Sequence, residues 1–278
     1  MGPGYEYSQF FSHLLECNST TFLSLFLLGL CRLAPIVIFS PFLGAKLPTG
    51  VKMGILISFT IIFLPHIAVT SQSLVPFNLV FIGYVIKEIF LGFIISFLVQ
   101  IPFQFAQTAG VLIDFMRGAS SLQVSDPFSS AQTSPIGNLY SYVLIAMFYA
   151  IGGLFMLFNS LFSLYALLPV DAFINPLFFK LSQPFWQTII ALATKVIALG
   201  IQLAAPALLA ILMTEVFLGI ANRLAPQVQI AFLGMSVKSL LGLTLLCAGW
   251  FFILQQLEKH TLLWMQEINN LLPFIPKS

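Results

Sequence analysis

Long stretches of this chain carry no charge at all, and that feature limits most sharply what it can fold into. No Asp, Glu, Lys or Arg occurs between Met53 and Ile86, between Ile89 and Ile113, or between Pro127 and Val170. From Phe22 to Ala45 the only charge is Arg32, from Leu181 to Asn222 only Lys195 and Glu215, and from Leu224 to Leu257 only Lys238. A helix needs about 20 mostly apolar residues to cross a bilayer, and each of these runs is long enough. Charged residues make up only 7% of the 278 residues and hydrophobic ones 59%. A soluble domain carries roughly 25% charged residues, so a water-facing surface could not be assembled from this set. The fold predicted is all-α: a polytopic membrane protein of about six long hydrophobic helical units, several broken by Pro or Gly into hairpins.

Local punctuation places some boundaries. Ser134-Pro135 reads as an N-cap followed by a first-turn proline. Leu168-Pro169 closes the same unit, because the residue before proline avoids the helical region. Gly152-Gly153 near its middle is a bend or hairpin point. Pro35, Pro41, Pro65, Pro102 and Pro206 fall inside apolar runs, where a freed backbone carbonyl finds no water and needs neighbouring helices or a polar cavity. The chain reads as a single membrane domain over residues 1–278. It has a polar N-terminal segment at 1–20, a polar loop at 114–134 and a C-terminal tail at 258–278. The segment Met1 to Thr21 holds Glu6 and Glu16 but no basic residue. It therefore lacks the n-region of a secretory signal, and insertion is expected to use the first apolar helix. Basic residues are spread too evenly over the loops to fix an orientation.

Several chemistries are disfavoured. The net charge of +2 is small and scattered, which argues against nucleic acid. Cys17, Cys31 and Cys247 form no CxxC motif, and His13, His66 and His260 have no metal-ligand spacing, so no metal or cofactor is predicted. Gly118-Ala119-Ser120-Ser121 lacks the second glycine of a nucleophile elbow.

Charges inside apolar segments cost about 3 kcal/mol each on insertion scales and need a reason. Those present are Arg32, Lys87-Glu88, Lys195, Glu215, Arg223 and Lys238. Glu215 and Arg223 are spaced near two helical turns and can share a face. They read as polar contacts between helices or subunits in preference to an ion relay. Lys87-Glu88 reads as a helix entrance, since adjacent residues do not face each other on a helix. Arg32-Leu33-Ala34-Pro35 recurs as Arg223-Leu224-Ala225-Pro226, though without a fixed period. The stretch from Asp114 to Ser134 is rich in small hydroxyl residues interleaved with Leu122, Val124 and Phe128. Two readings stand: a water-exposed loop, or a loop folded back into a protein-lined cavity.

These residues carry a resemblance. The segment GVLIDFMRGASSLQVSDPFSSAQTSPIGNLY, with its Asp126-Pro127 step, resembles the central segment of the FliR/SctT family of type III export proteins. Asn222-Arg223-Leu224-Ala225-Pro226-Gln227, followed by Gly234 to Lys238, is similar to that family's late turn and final hairpin. Arg32 to Lys52 resembles its opening helix and basic turn. The resemblance implies an export-gate subunit of a flagellar or injectisome apparatus in the bacterial inner membrane, with no catalytic residue. It implies FliP/SctR-like and FliQ/SctS-like gate subunits, an FlhB/SctU-like switch protein, unfolded secreted proteins and membrane lipid as partners. It implies that Gly118, Ser120, Ser121, Leu122, Gln123, Val124, Asp126, Pro127 and Phe128 belong to a pore plug. It further implies that Arg32, Glu215, Asn222, Arg223, Pro226, Gln227 and Lys238 are buried polar or interface residues. The alternative is a small-molecule secondary transporter, which should show inverted repeats with polar sites at matching positions.

Overall fold

The structure, a computed structural model, describes residues 19–44, 47–71, 77–118, 134–180, 183–224 and 230–271. Within them it holds eight α-helices: α1 (Ser19–Phe39), α2 (Thr49–Thr70), α3 (Leu79–Met116), α4 (Pro135–Ala150), α5 (Gly153–Leu167), α6 (Pro184–Leu224), α7 (Ile230–Ala248) and α8 (Trp250–Leu271). Two short 3₁₀ turns, Pro41–Leu43 and Pro176–Phe179, accompany them, and the described residues contain no strand. Helices α1, α2, α3 and α6 are each long and apolar enough to cross a membrane. The broken pairs α4–α5 and α7–α8 raise the number of spans to as many as six.

The breaks sit at glycines. Gly152, with φ +79°, separates α4 from α5 in the left-handed region that other residues avoid, and Gly249 separates α7 from α8. Four of the five prolines leave their helices continuous: Pro35 in α1, Pro65 in α2, Pro102 in α3 and Pro206 in α6. Pro41 instead opens a 3₁₀ turn. Hydroxyl residues at membrane depth satisfy themselves by donating one turn back along their own helix, as Thr60 does to Leu56 O and Thr214 to Ala210 O, each at 2.8 Å.

The contacts gather the described chain into two compact units of interleaved segments. The first is built from residues 19–100, 152–190 and 265–271, the second from 101–151 and 191–264. In the first unit α1 packs on α2 and α2 on α5. Gly29 admits Ile67 and Thr60 closely, and Phe63 meets Phe158 and Phe162 ring to ring. Gly92 of α3 lies so near α1 that a Cβ there would overlap the Arg32 carbonyl. In the second unit Gly110 of α3 lies against the backbone of Gly137 of α4, and Gly200 of α6 against Thr108. Small residues let helix backbones approach where lipid gives no hydrophobic drive between helices.

The tail expected from residue 258 continues as helix to Leu271. The reason lies in its periodicity. Leu257, Thr261, Trp264, Met265, Ile268 and Leu271 recur at helical spacing and are buried, while polar Gln256, Lys259, Gln266 and Asn270 stay exposed.

Candidate functional site

Among the described residues, each unit contains a buried cluster of charged side chains. In the first unit, Arg32 of α1 and Glu88 of α3 are both 0% exposed. Glu88 accepts from Arg32 Nε and, at 2.9 Å, from Arg32 Nη2. It also pairs with Lys87 Nζ at 2.7 Å. The adjacent pair is therefore not a helix entrance: it sits in the third turn of α3. Both side chains are drawn toward partners on other elements, which sequence adjacency cannot reveal. Lys87 donates to the carbonyls of Pro169, Val170 and Ala172 at 2.9, 3.0 and 2.8 Å. Arg32 donates to Leu168 O at 2.9 Å and stacks 4.1 Å over the Tyr165 ring. These carbonyls follow the end of α5, where Pro169 prevents the helix from continuing. Two buried cations thus satisfy the orphaned carbonyls of a chain reversal, and one carboxylate offsets their charge.

The second cluster lies where α3 ends and α4 begins. Asp114 is buried. Its Oδ1 accepts from Arg117 Nε at 2.7 Å and Arg117 Nη2 at 2.6 Å. Its Oδ2 accepts from the Ser134 hydroxyl and, at 2.9 Å, from the Ile136 backbone N–H. Ser134 Oγ in turn accepts from Gly137 N at 3.0 Å, making the predicted N-cap real. A carboxylate thus faces the positive end of α4. Gly118 follows Arg117 with φ +83°.

The residues singled out from the sequence fall in different places. Arg32 is buried in the first cluster. Glu215 and Lys238 form an ion pair between α6 and α7, with Glu215 42% exposed. Asn222 and Arg223 are exposed on the chain. Glu215, expected to share a helix face with Arg223 and to make a contact between helices or subunits, meets Lys238 of α7, where Leu218 also lies close to Gly234. Gly118 lies within the described residues. Ser120, Ser121, Leu122, Gln123, Val124, Asp126, Pro127 and Phe128 lie outside them, as do Pro226 and Gln227. Sequence reasoning missed Asp114 as a site residue. Its signal was present: a carboxylate at the end of a charge-free run, three residues before an arginine.

A sequence profile of bacterial export proteins, family 1, matches residues 23–263. Over 240 residues the chain is 31% identical to Yop proteins translocation protein T of Yersinia pestis, covering 85% of this chain and 90% of that protein. It is 30% identical over 215 residues to the secretion system apparatus protein SsaT of Salmonella typhimurium, with 76% and 79% covered. Flagellar biosynthetic protein FliR of Escherichia coli is 23% identical over 233 residues, with 82% and 85% covered.

Proposed function

The chain belongs to the bacterial export proteins, family 1, the FliR/SctT family, and from that premise we infer its role: a subunit of the export gate of a type III protein secretion system. It is a multi-pass protein of the bacterial inner membrane, with four to six candidate spans. The observation that carries the reading is a family match that spans residues 23–263, nearly all of the apolar helices.

Finer parts of the role follow as our proposal. The relatives named for translocation and secretion stand at 31% and 30% identity and the E. coli flagellar relative at 23%, which favours an injectisome over a flagellar apparatus. The gate is built with FliP/SctR-like and FliQ/SctS-like subunits, with an FlhB/SctU-like protein beside it, and unfolded proteins pass through. The chain itself performs no chemistry, and energy comes from other components. Exposed Asn222 and Arg223, with the Glu215–Lys238 pair, offer hydrogen-bonding groups to a partner subunit. The segment from Gly118 to Ser130 plugs the pore at rest, and its small polar residues let it move aside at little cost.

Deleting the gene in its own bacterium tests the role. Secretion of the system's substrate proteins should stop and return on complementation. Normal secretion, with loss of uptake or efflux of a small solute, would establish the transporter reading instead.

A further inference from the structure

The second unit holds a groove between α6 and α8, with α3 contributing one wall, and its volume is about 320 Å³. Part of the lining is apolar, including buried Phe105 of α3 and Leu203 of α6. Three hydrogen-bonding side chains line it as well: Gln202 of α6, and Gln256 and His260 of α8. The His260 ring stands at a steep angle to the Phe105 ring, 5.9 Å between centroids. Among the described residues, none hydrogen-bonds to the side chain of Gln202, Gln256 or His260. Pro206, also in the lining, adds a fourth polar group. It has no N–H, so the carbonyl of Gln202, one turn earlier in the continuous helix, has no helical donor.

α6 is a candidate span and α8 belongs to a bent pair that passes the same test, so what fills the groove decides whether these polar groups are satisfied. Acyl chains would satisfy none of them. A charged group fits poorly, because among the described residues no Asp, Glu, Lys or Arg lines the groove to offset it. Water or a passing polypeptide would meet the polar groups but would leave a large apolar wall uncovered: Phe252, in the lining, is 69% exposed. A neighbouring helix that is apolar on the whole and carries uncharged polar side chains meets both demands. Helices at membrane depth associate in this way, through close packing and through hydrogen bonds between Asn, Gln, Ser, Thr and His side chains. A glutamine amide both donates and accepts, and so does a neutral imidazole. A facing amide or hydroxyl can therefore be met in either role.

We propose that this groove is the docking site for one membrane helix of a partner gate subunit, a helix that presents Asn, Gln, Ser or Thr to Gln202, Gln256 and His260. The proposal rests on the reading of the chain as a gate subunit, and it assigns a surface distinct from the Glu215–Lys238 hairpin.

The test uses the full chain in its assembled apparatus. Phe252 is replaced by the photocrosslinking residue p-benzoylphenylalanine, and the adduct is mapped by mass spectrometry. The expected adduct lies in a membrane helix of a co-purifying gate subunit, at a segment bearing Asn, Gln, Ser or Thr. An adduct with lipid alone, or with a secreted polypeptide arrested in transit alone, overturns the proposal. In parallel, Gln202→Leu combined with Gln256→Leu keeps the volume and removes both amides. The level of the chain in the membrane should be unchanged, while its recovery with the complex falls about tenfold, since each interhelical hydrogen bond is worth about threefold in association. Unchanged recovery overturns the docking site. Should the double variant not accumulate, Gln256→Leu alone should lower recovery about threefold, and normal recovery there also overturns it. Intact secretion after deletion of the gene would refute the gate reading itself, whereas stopped secretion with normal recovery of the double variant refutes the docking site alone.

Discussion

Glu88 allows a quantitative test of how this chain tolerates charge in an apolar environment. Its carboxylate is fully buried, binds Arg32 through two nitrogens and touches Lys87 at 2.7 Å. Replacing it with Met leaves two cations beside the vacated position. Lys87 keeps its three carbonyls, and Arg32 keeps Leu168 O and the Tyr165 ring. Removing one partner of a buried ion pair costs about 3–5 kcal/mol. Arg32→Met is the milder change, because Glu88 retains Lys87, and the expected cost is about 1–3 kcal/mol. The double variant Arg32→Met with Glu88→Met leaves one cation, Lys87, which is already capped by carbonyls and lies in the field of Asp171. Exchanging a buried pair for apolar side chains is often near neutral, so the double variant should be more stable than Glu88→Met alone. Thermal unfolding in detergent measures this. At about 2–4 °C per kcal/mol for a chain of this size, Glu88→Met should lower the midpoint by roughly 6–20 °C and the double variant by clearly less. Equal loss from the two single variants, or additive loss in the double, would refute the view that Glu88 serves as the shared counter-charge.

Two further outcomes follow from the packing. Gly92→Ala puts a Cβ onto the Arg32 carbonyl and against Pro35, so α1 and α3 must separate. The expected loss is about 1–3 kcal/mol, read as lower yield of folded chain after detergent extraction, whereas Gly54→Ala, where a Cβ meets nothing, should leave yield unchanged. Lys238→Met leaves the Glu215 carboxylate without its cation in an apolar helix, so its cost should be about 3 kcal/mol by the same melting assay.

Much of the helical plan was legible because it depends on local rules. Ser134 and Pro135 announce a cap, and the structure shows the Ser134 oxygen accepting from Gly137. Gly152-Gly153 announces a break, and Gly152 adopts the positive φ that makes one. The prolines were less telling. At Pro35, Pro65, Pro102 and Pro206 the helix runs on, because the surrounding apolar sequence has no better alternative at membrane depth than helix. The helical run past residue 257 was legible only from its period. Polar residues after Leu257 look like a tail until their period is counted, and the buried side, from Leu257 to Leu271, belongs to a helix with one polar face.

The charged residues divide in the same way, and the division explains what a sequence of this composition hides. Acids that meet cations in the described helices include Glu88 with Arg32 and Lys87, Asp114 with Arg117, and Glu215 with Lys238. Asp114 and Arg117 are three residues apart, so helical spacing alone could have paired them. Arg32 lies 56 positions from Glu88, and Glu215 lies 23 from Lys238. Only the fold brings these together, and no local pattern marks them. Yet the cost of an unpaired charge in an apolar segment, about 3 kcal/mol, already requires that such partners exist. In a chain this poor in charge, the useful inference from an isolated Glu or Arg in an apolar run is therefore the existence of a distant counter-charge. Candidate partners are few enough to be enumerated.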